Sequence, residues 1–479
     1  MKKYSIIPGI FLLLIITAGC KKYLDINDNP NAAVDPPVSG LLANATYLTS
    51  NNVYLIGDWV SYYSQYFASP SNASPTDVYD ETDRSGAWEG VYNVMSDLYD
   101  MRKIGVANGW NAYVGLADIC MAMNLSMATN VWGDMPYSEA FVGVSNLTPH
   151  FDDQKVLYDT CLALIDRGIS LLQGPGLDGQ LNKPSDFIHG GDLEAWVKTG
   201  YALKARLLNQ VSKTSQYSAT AVLAAVDNAY TSNADDAQVT QFTVRNPFAD
   251  AAISNRNLVL DVWLSENFVE ATNGVTYGVF DPRLPQITIP TEAGNYQGQP
   301  HNAGEYWGTP NGAGYQGDQN TKHVQNYLEP GKWYSSTNSP LQIITNAEIR
   351  FVEAEAAFRN GNKSRAYNAY LAGITASMQK LNVSTALIND YLANPAVAVG
   401  EANITLALIM KEKYVACFLM PVTWDDLRRF DYGLKDFTLP VNALLSEFIR
   451  RANYPSSTTT RNGENVPEVS LTQHLWWDQ

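Results

Sequence analysis

Aromatic and amide residues concentrate in one irregular part of the chain, between about residues 234 and 340. There the helical period disappears and Gly, Asn, Pro and Tyr become frequent. Aromatic faces stack on the CH faces of sugars, while amides and carboxylates bond hydroxyl groups, so this composition suits a neutral oligosaccharide. The same groups also suit a peptide. The candidate ligand-binding residues here are Tyr296, Tyr306, Trp307, Tyr315 and Trp333.

A shorter segment nearer the N-terminus offers groups of the same kind. It covers residues 70–86 and contributes Asn72 and Tyr79 as further candidate ligand contacts. Aromatic residues on the neighbouring helical patterns recur at helical spacing and are predicted to pack in the core. Tyr306 and Trp307, which lie between glycines in a loop, are better candidates, although loop aromatics can also serve to pin irregular chain onto helices.

Catalytic residues do not occur in a recognisable arrangement. The five histidines form no HExxH or similar metal-ligand pair. A GxGxxG run at residues 174–179 lies between two helical patterns, so it is predicted to be a loop and not a dinucleotide site. Adjacent acids such as Asp425 and Asp426 leave a glycoside hydrolase as an alternative, but 48 acidic residues produce such pairs by chance. The sequence favours a binding protein without catalytic residues, metal or cofactor.

Net charge limits the classes of ligand. The formal charge is −16 at pH 7, whereas nucleic acids are bound by an excess of Lys and Arg. Nucleic acid is therefore not expected as a partner, and neutral or cationic ligands stay open. Cys120, Cys161 and Cys417 lie in apolar helical patterns without zinc spacing and are predicted to be small buried hydrophobes.

The first residues have the pattern of a secretory signal. Two lysines precede an apolar stretch that is too short to span a bilayer, and small residues precede Cys20. The arrangement looks like a lipobox, which predicts a lipoprotein signal peptide at 1–19, acylation of Cys20 and a lipid-anchored tether at 20–38. The alternative is an ordinary signal peptide with a chance cysteine.

Helical periodicity dominates the rest of the chain, so the fold is predicted to be mainly α. One helix is expected to end at Gly133, because glycine accepts positive φ and Pro136 cannot continue a helix. Asp192 is a plausible N-cap of another. Strand-like runs are short, at 238–244 and 286–289. The predicted helices span residues 39–49, 53–68, 87–104, 111–130, 155–172, 193–212, 219–230, 345–360, 364–381 and 403–418.

The run WGDMPYSEA at residues 132–140 resembles the signature turn of the SusD/RagB family, nutrient-binding outer-membrane lipoproteins of Bacteroidota. Further family-like motifs follow in order and spread the resemblance over essentially the whole chain. They are GGDLEAW at 190–196, DPRL at 281–284, EAEA at 353–356, WDDLRR at 424–429, YPSS at 454–457 and WWD at 476–478.

The resemblance implies a right-handed superhelix of tetratricopeptide-like helix pairs with a long, loop-rich ligand-binding region. A single domain would cover 39–479, with a helical scaffold at 39–233 and 341–430, the insert at 234–340 and an irregular C-terminal segment at 431–479. The implied function is capture of oligosaccharides at the cell surface and delivery to a TonB-dependent SusC/RagA-type outer-membrane transporter. Peptide capture of the RagB type is the main alternative.

Overall fold

Apolar residues at helical spacing build a mainly helical scaffold. A computed structural model describes residues 36–80, 82–255, 262–317 and 323–479. The predicted signal peptide at 1–19, Cys20 and nearly all of the tether lie outside the described residues. In the described part the α-helices are α1 Val38–Tyr63, α2 Ser85–Asn108, α3 Asn111–Trp132, α4 Gln154–Leu172, α5 Leu193–Gln210, α6 Ala219–Val226, α7 Pro247–Ser254, α8 Glu266–Asn273, α9 Asn346–Arg359, α10 Lys363–Lys380, α11 Thr385–Ala393, α12 Leu406–Ala416, α13 Val422–Arg429 and α14 Ser456–Asn462.

The strands of the described ranges are short and pair only in twos. All three pairs are antiparallel, β1 with β3, β2 with β6 and β4 with β5. β4 and β5 form a hairpin inside the insert, whereas the other two pairs join segments that are distant in sequence. Their bounds are β1 Phe67–Ala68, β2 Ala237–Val239, β3 Trp263–Leu264, β4 Gly294–Tyr296, β5 Gln299–His301 and β6 Leu341–Ile344.

Successive helices pack against one another along the chain. α1 packs on α2, α2 on α3, α3 on α4, α4 on α5 and α5 on α6, and α9 then joins α6 to α10 and α12. The α3–α4 crossing is close because it is built on glycines, where a Cβ on Gly115 would lie 3.1 Å from the Gly168 carbonyl oxygen. Short connections and close crossings of this kind are typical of stacked helix pairs.

The corner after α3 forms as the sequence predicts. Gly133 follows the last helical residue with φ of 82°, and the Trp132 side chain is fully buried. The Asp134 carboxylate accepts the amide N–H of Gln154, the first residue of α4 (2.8 Å). The C-terminal segment closes the corner, since the Tyr454 hydroxyl donates to the Asp134 carbonyl oxygen (2.8 Å).

Several boundaries differ from the predictions. The helices predicted at 39–49 and 53–68 are one continuous helix, α1. The region 234–340 contains α7 and α8, each only eight residues long, which is too short for a helical period to show. The strand predicted at 286–289 is wrong, because Leu284–Gln286 is a 3₁₀ helix, and the strand predicted at 238–244 is limited to β2.

The apolar core is continuous through the compact unit Val38–Gln479. Cys120 and Cys161 are buried in this core, and Cys417 is buried in a small separate cluster with Met420 and Val422. All three are unpaired, as predicted. In the described part of the chain, α3 is the one helix long and apolar enough to cross a membrane, and it is almost wholly buried inside the protein. This burial marks α3 as a core helix.

Candidate ligand-binding site

Tyr306 and Trp307 lie side by side in a surface cleft, called here the aromatic cleft. The cleft has a volume of about 340 Å³ and opens between α8 and the loop 304–308. Phe280, 44% exposed, supplies a third ring. The lining of the cleft includes Phe280, Tyr306, Trp307, Glu266, Glu270 and Glu305.

The Trp307 ring is held by packing on one side and a hydrogen bond at its edge. Its centroid lies 4.9 Å from that of Tyr296 and 5.6 Å from that of His301. Its indole N–H donates to the Glu305 carboxylate (3.0 Å). A ring fixed in this way loses little conformational freedom when a ligand stacks on it.

Tyr306 is half-buried and faces Phe280, with ring centroids 5.7 Å apart and planes at 50°. The Asn273 amide donates to the Tyr306 carbonyl oxygen (3.1 Å), which ties the loop to the end of α8. Burial raises the pKa of the Tyr306 phenol, so the hydroxyl stays protonated at neutral pH and is available as a hydrogen-bond donor.

Two buried amides give the loop its shape. The Asn326 side chain accepts the Trp307 amide N–H (2.7 Å) and donates to the Ile289 carbonyl oxygen (2.7 Å). The Gln325 side chain donates to the Gly308 carbonyl oxygen (2.9 Å). These side chains satisfy backbone groups that irregular chain leaves unpaired, so the cleft rests on an ordered frame.

The acids of the cleft differ in their partners. Glu266 accepts the Tyr296 hydroxyl (2.6 Å), and Glu305 accepts Trp307. Burial raises the pKa of Glu270, and the charges of Glu266 and Asp436 raise it further. Within the described residues no group of three or more His, Cys, Asp or Glu side chains could hold a metal ion.

Comparison with known proteins places the chain in a family. A family model described as "Starch-binding associating with outer membrane", the SusD-like model, matches residues 30–455. The chain belongs to the SusD-like family. Members of this family are binding proteins and not enzymes, and the family is associated with the outer membrane. No curated protein gives a significant match.

Solved structures share the SusD-like fold over nearly the whole chain. A SusD/RagB family protein from Bacteroides thetaiotaomicron is 21% identical, with coverage of 92% of this chain and 98% of that chain and a TM-score of 0.72. A chitin-binding SusD homologue from Flavobacterium johnsoniae is 20% identical, with coverage of 91% and 98% and a TM-score of 0.72. A second Bacteroides thetaiotaomicron SusD-like protein is 20% identical, with coverage of 92% and 98% and a TM-score of 0.75. The mainly helical fold predicted from the sequence is confirmed.

Two predicted ligand contacts are buried in this SusD-like chain. Tyr79 is 1% exposed and packs edge-on against Tyr63, so its ring faces the core in this structure, and ligand contact by Tyr79 stays a prediction. Tyr296 is 5% exposed, and its ring packs against the Trp307 ring instead of facing solvent. Both residues are predicted contacts because of the composition of their loops. Composition does not show which side chains of a loop face the core.

Asn72 and Tyr315 come together, but outside the residues that line the aromatic cleft. The Tyr315 amide donates to the Pro70 carbonyl oxygen (2.8 Å), and the Tyr315 ring lies edge-on to Trp263 with centroids 5.2 Å apart. Asp77 fastens this junction by accepting the Asn311 amide (2.8 Å) and the Gly312 N–H (3.1 Å). Ligand contact by Asn72 and Tyr315 stays a prediction.

Trp333 lies in a separate surface depression. Its backbone N–H donates to the Gln286 carbonyl oxygen (3.0 Å), and the Lys380 ammonium group lies 5.9 Å from its ring centroid. The structure therefore does not bring Trp333 to Tyr306 and Trp307. A role for Trp333 in ligand binding stays a prediction at a second surface.

Sequence reasoning missed Phe280, Glu266 and Glu270. Glu266 and Glu270 lie on α8, the short helix that showed no period, and their i, i+4 spacing on one helix face was the available signal. Phe280 directly precedes the DPRL motif. The exposure of Phe280 depends on tertiary structure, so no local sequence pattern predicts it.

Proposed function

We propose that this SusD-like protein binds oligosaccharides at the aromatic cleft. The observation that carries the proposal is the platform of Phe280, Tyr306 and Trp307, which presents partly exposed rings beside carboxylate and hydroxyl groups. Sugar rings stack on such faces through their CH groups, and the polar groups at the edge bond the hydroxyls. A few stacked rings with hydrogen bonds give affinities of about μM to mM.

The proposal extends to nutrient delivery at the outer membrane. Cys20 would carry the lipid anchor at the cell exterior, and a TonB-dependent SusC/RagA-type transporter would receive the ligand. The family's association with the outer membrane and the lipobox-like sequence before Cys20 support this part. Modest affinity suits delivery, because the ligand must be released to the transporter.

The alternatives are a peptide ligand and, less favoured, glycoside hydrolysis. Aromatic and carboxylate groups also suit peptides, so ligand class is a matter for the binding assay. The acid pair Asp425 and Asp426 is a poor candidate for hydrolysis. Both side chains are buried and ion-paired, Asp425 with Arg428 (2.6 Å) and Asp426 with Arg429 (2.7 Å).

The test is calorimetric titration of a form that begins after Cys20 with a panel of oligosaccharides and an oligopeptide pool. Replacement of Trp307 by Ala is expected to weaken binding of the active oligosaccharide at least about tenfold, because it removes a stacking face. Incubated samples are checked by chromatography for cleavage products. Product formation would contradict the binding-protein proposal, and binding of peptides alone would move the ligand to the peptide class.

Two other tryptophans are matched controls. Trp110→Ala removes a half-buried ring that does not line the cleft and should leave affinity unchanged. Trp132→Ala should lower the free energy of unfolding by about 3–5 kcal/mol, since a fully buried ring is lost, with little effect on affinity where the variant folds. Unchanged affinity and melting temperature in Trp307→Ala would remove Trp307 from the site.

A further inference from the structure

The lining of the aromatic cleft differs in charge from that of an ordinary sugar-binding surface. Three of its lining residues are glutamates, namely Glu266, Glu270 and Glu305, and none of the described lining residues is Lys, Arg or His. The chain also carries a net charge of −16. A ligand entering this cleft therefore meets a negative potential close to the aromatic rings.

Glu270 is the acid that distinguishes this cleft. Its carboxylate has no hydrogen-bond or ion-pair partner among the described residues, although the side chain is half-buried. Lys435, on a neighbouring segment, directs its ammonium group to the Thr276 carbonyl oxygen (2.6 Å) and not to Glu270. The charged groups that act on the pKa of Glu270 are Glu266 and Asp436, and both raise it.

The negative lining continues into an adjoining small cavity. Glu266 and Glu270 line both spaces, and Asn267 and Asp436 complete the polar wall of the smaller one. An unpaired, partly desolvated carboxylate is unfavourable in the free protein, and a bound cation would relieve that cost. The faces of Phe280 and Tyr306 also attract cations placed over them.

Resting on the proposed function, we infer that the aromatic cleft selects oligosaccharides that carry a free, protonated amine, with Glu270 as the residue that pairs with the ammonium group. The sugar ring would stack on Trp307 while the amine faces Glu270 and Glu266. Acidic oligosaccharides such as uronate oligomers would be rejected by the same carboxylates. N-acetylated sugars would keep the stacking and lose the charge pairing.

The test compares two tetrasaccharides with the same backbone, the β-1,4 tetramer of N-acetylglucosamine and its fully deacetylated form. Calorimetric titrations of the form that begins after Cys20 are run at a pH where the sugar amine is protonated, at low and at high salt. The deacetylated tetramer is expected to bind about five- to tenfold more tightly at low salt. This preference should shrink at high salt, because screening weakens charge pairing.

Glu270→Gln should remove most of the preference while leaving the affinity for the acetylated tetramer unchanged. Glu464→Gln, an exposed acid outside the cleft, is the matched control and should keep the preference. Equal affinity for the two tetramers, or a preference that survives in Glu270→Gln, overturns the inference but leaves oligosaccharide binding intact. Binding of neither tetramer also overturns it, and the wider glycan panel then decides the proposed function separately. Tetralysine is titrated under the same conditions. Its binding without either tetramer overturns the inference, and the wider glycan panel again decides the proposed function.

Discussion

Two clusters of buried carboxylates in the helical core of this SusD-like chain are paired with cations, whereas the carboxylates of the aromatic cleft are not. In the core, Arg283 donates to Asp281 (2.6 Å) and also pairs with Glu412, with all three side chains buried. In the cleft, Glu270 is half-buried and has no partner among the described residues. The contrast shows that charge in the core is satisfied internally, while the cleft keeps charge available for a ligand.

The second core cluster follows the same rule. The Glu355 carboxylate on α9 accepts hydrogen bonds from both terminal guanidinium nitrogens of Arg429 (2.8 Å each) and from Arg359 (2.9 Å). Burial alone would raise the pKa of Glu355, but Arg429 and Arg359 outweigh it and hold this pKa well below its usual value. These pairs join α9, α13 and the family-like motifs EAEA and WDDLRR, so those motifs are structural in this chain.

Breaking a core pair gives the largest expected effect. Arg283→Met leaves Asp281 and Glu412 buried with too few positive partners, which should lower the free energy of unfolding by about 3–5 kcal/mol. Denaturant titration measures the loss. The surface pair of Arg461 with Glu89, at 4.0 Å, provides a control, because Arg461→Met should change stability little. A loss in Arg283→Met no larger than the control would contradict a structural role for the core cluster.

Asp77 is an intermediate case, buried but held by N–H donors instead of a cation. Burial raises its pKa from 3.8 to about 6, although hydrogen bonds from Gly312, Ser69 and Asn311 act in the opposite direction. The folded state therefore holds the Asp77 proton more tightly than the unfolded state. Stability from this group should rise as pH falls from 7 to 4, by up to about 3 kcal/mol.

Asp77→Asn isolates this contribution. The variant should be less stable overall, since it loses an acceptor, and should lack the gain at low pH that the native chain shows. Denaturant titration of both proteins at pH 7 and 4 shows how the free energy of unfolding of each changes with pH. Groups that titrate in both proteins contribute equally and cancel, including His323, whose pKa burial lowers to about 4. Parallel pH profiles for the two proteins would show that Asp77 does not titrate in this range.

The sequence predicted the core better than the cleft, for physical reasons. Helices of three or more turns show their period, and the corner at Gly133 follows from backbone chemistry. Exposure in the loops depends on how distant segments meet, so the burial of Tyr79 and Tyr296 does not follow from their local sequence. Tyr306 and Trp307 were found because glycines flank them, whereas Glu270 lies on a helix too short to detect. The partners of a carboxylate are set by tertiary structure, which is why paired and unpaired acids look alike in sequence.

Glu270→Gln should change the free energy of unfolding least of these variants, and the direction of the change is what tests the contrast. The raised pKa of Glu270 means that its ionised form is less favourable in the folded state, so the variant should be more stable than the native chain at pH 7, by about 0.5 kcal/mol after screening by water. The difference should vanish near pH 4, where the native carboxylate is protonated. Thermal unfolding at both pH values measures it, with Glu464→Gln as the control.

A less stable Glu270→Gln variant at pH 7 would mean that Glu270 has a stabilising partner and that the cleft does not differ from the core. A more stable variant that also loses its preference for amine-bearing sugars would connect the two observations. The carboxylate would then lower the stability of the free protein and contribute to binding when a cation arrives. On that account the deacetylated tetramer should raise the melting temperature of the native chain more than that of the variant, because only the native chain has an unpaired charge to neutralise.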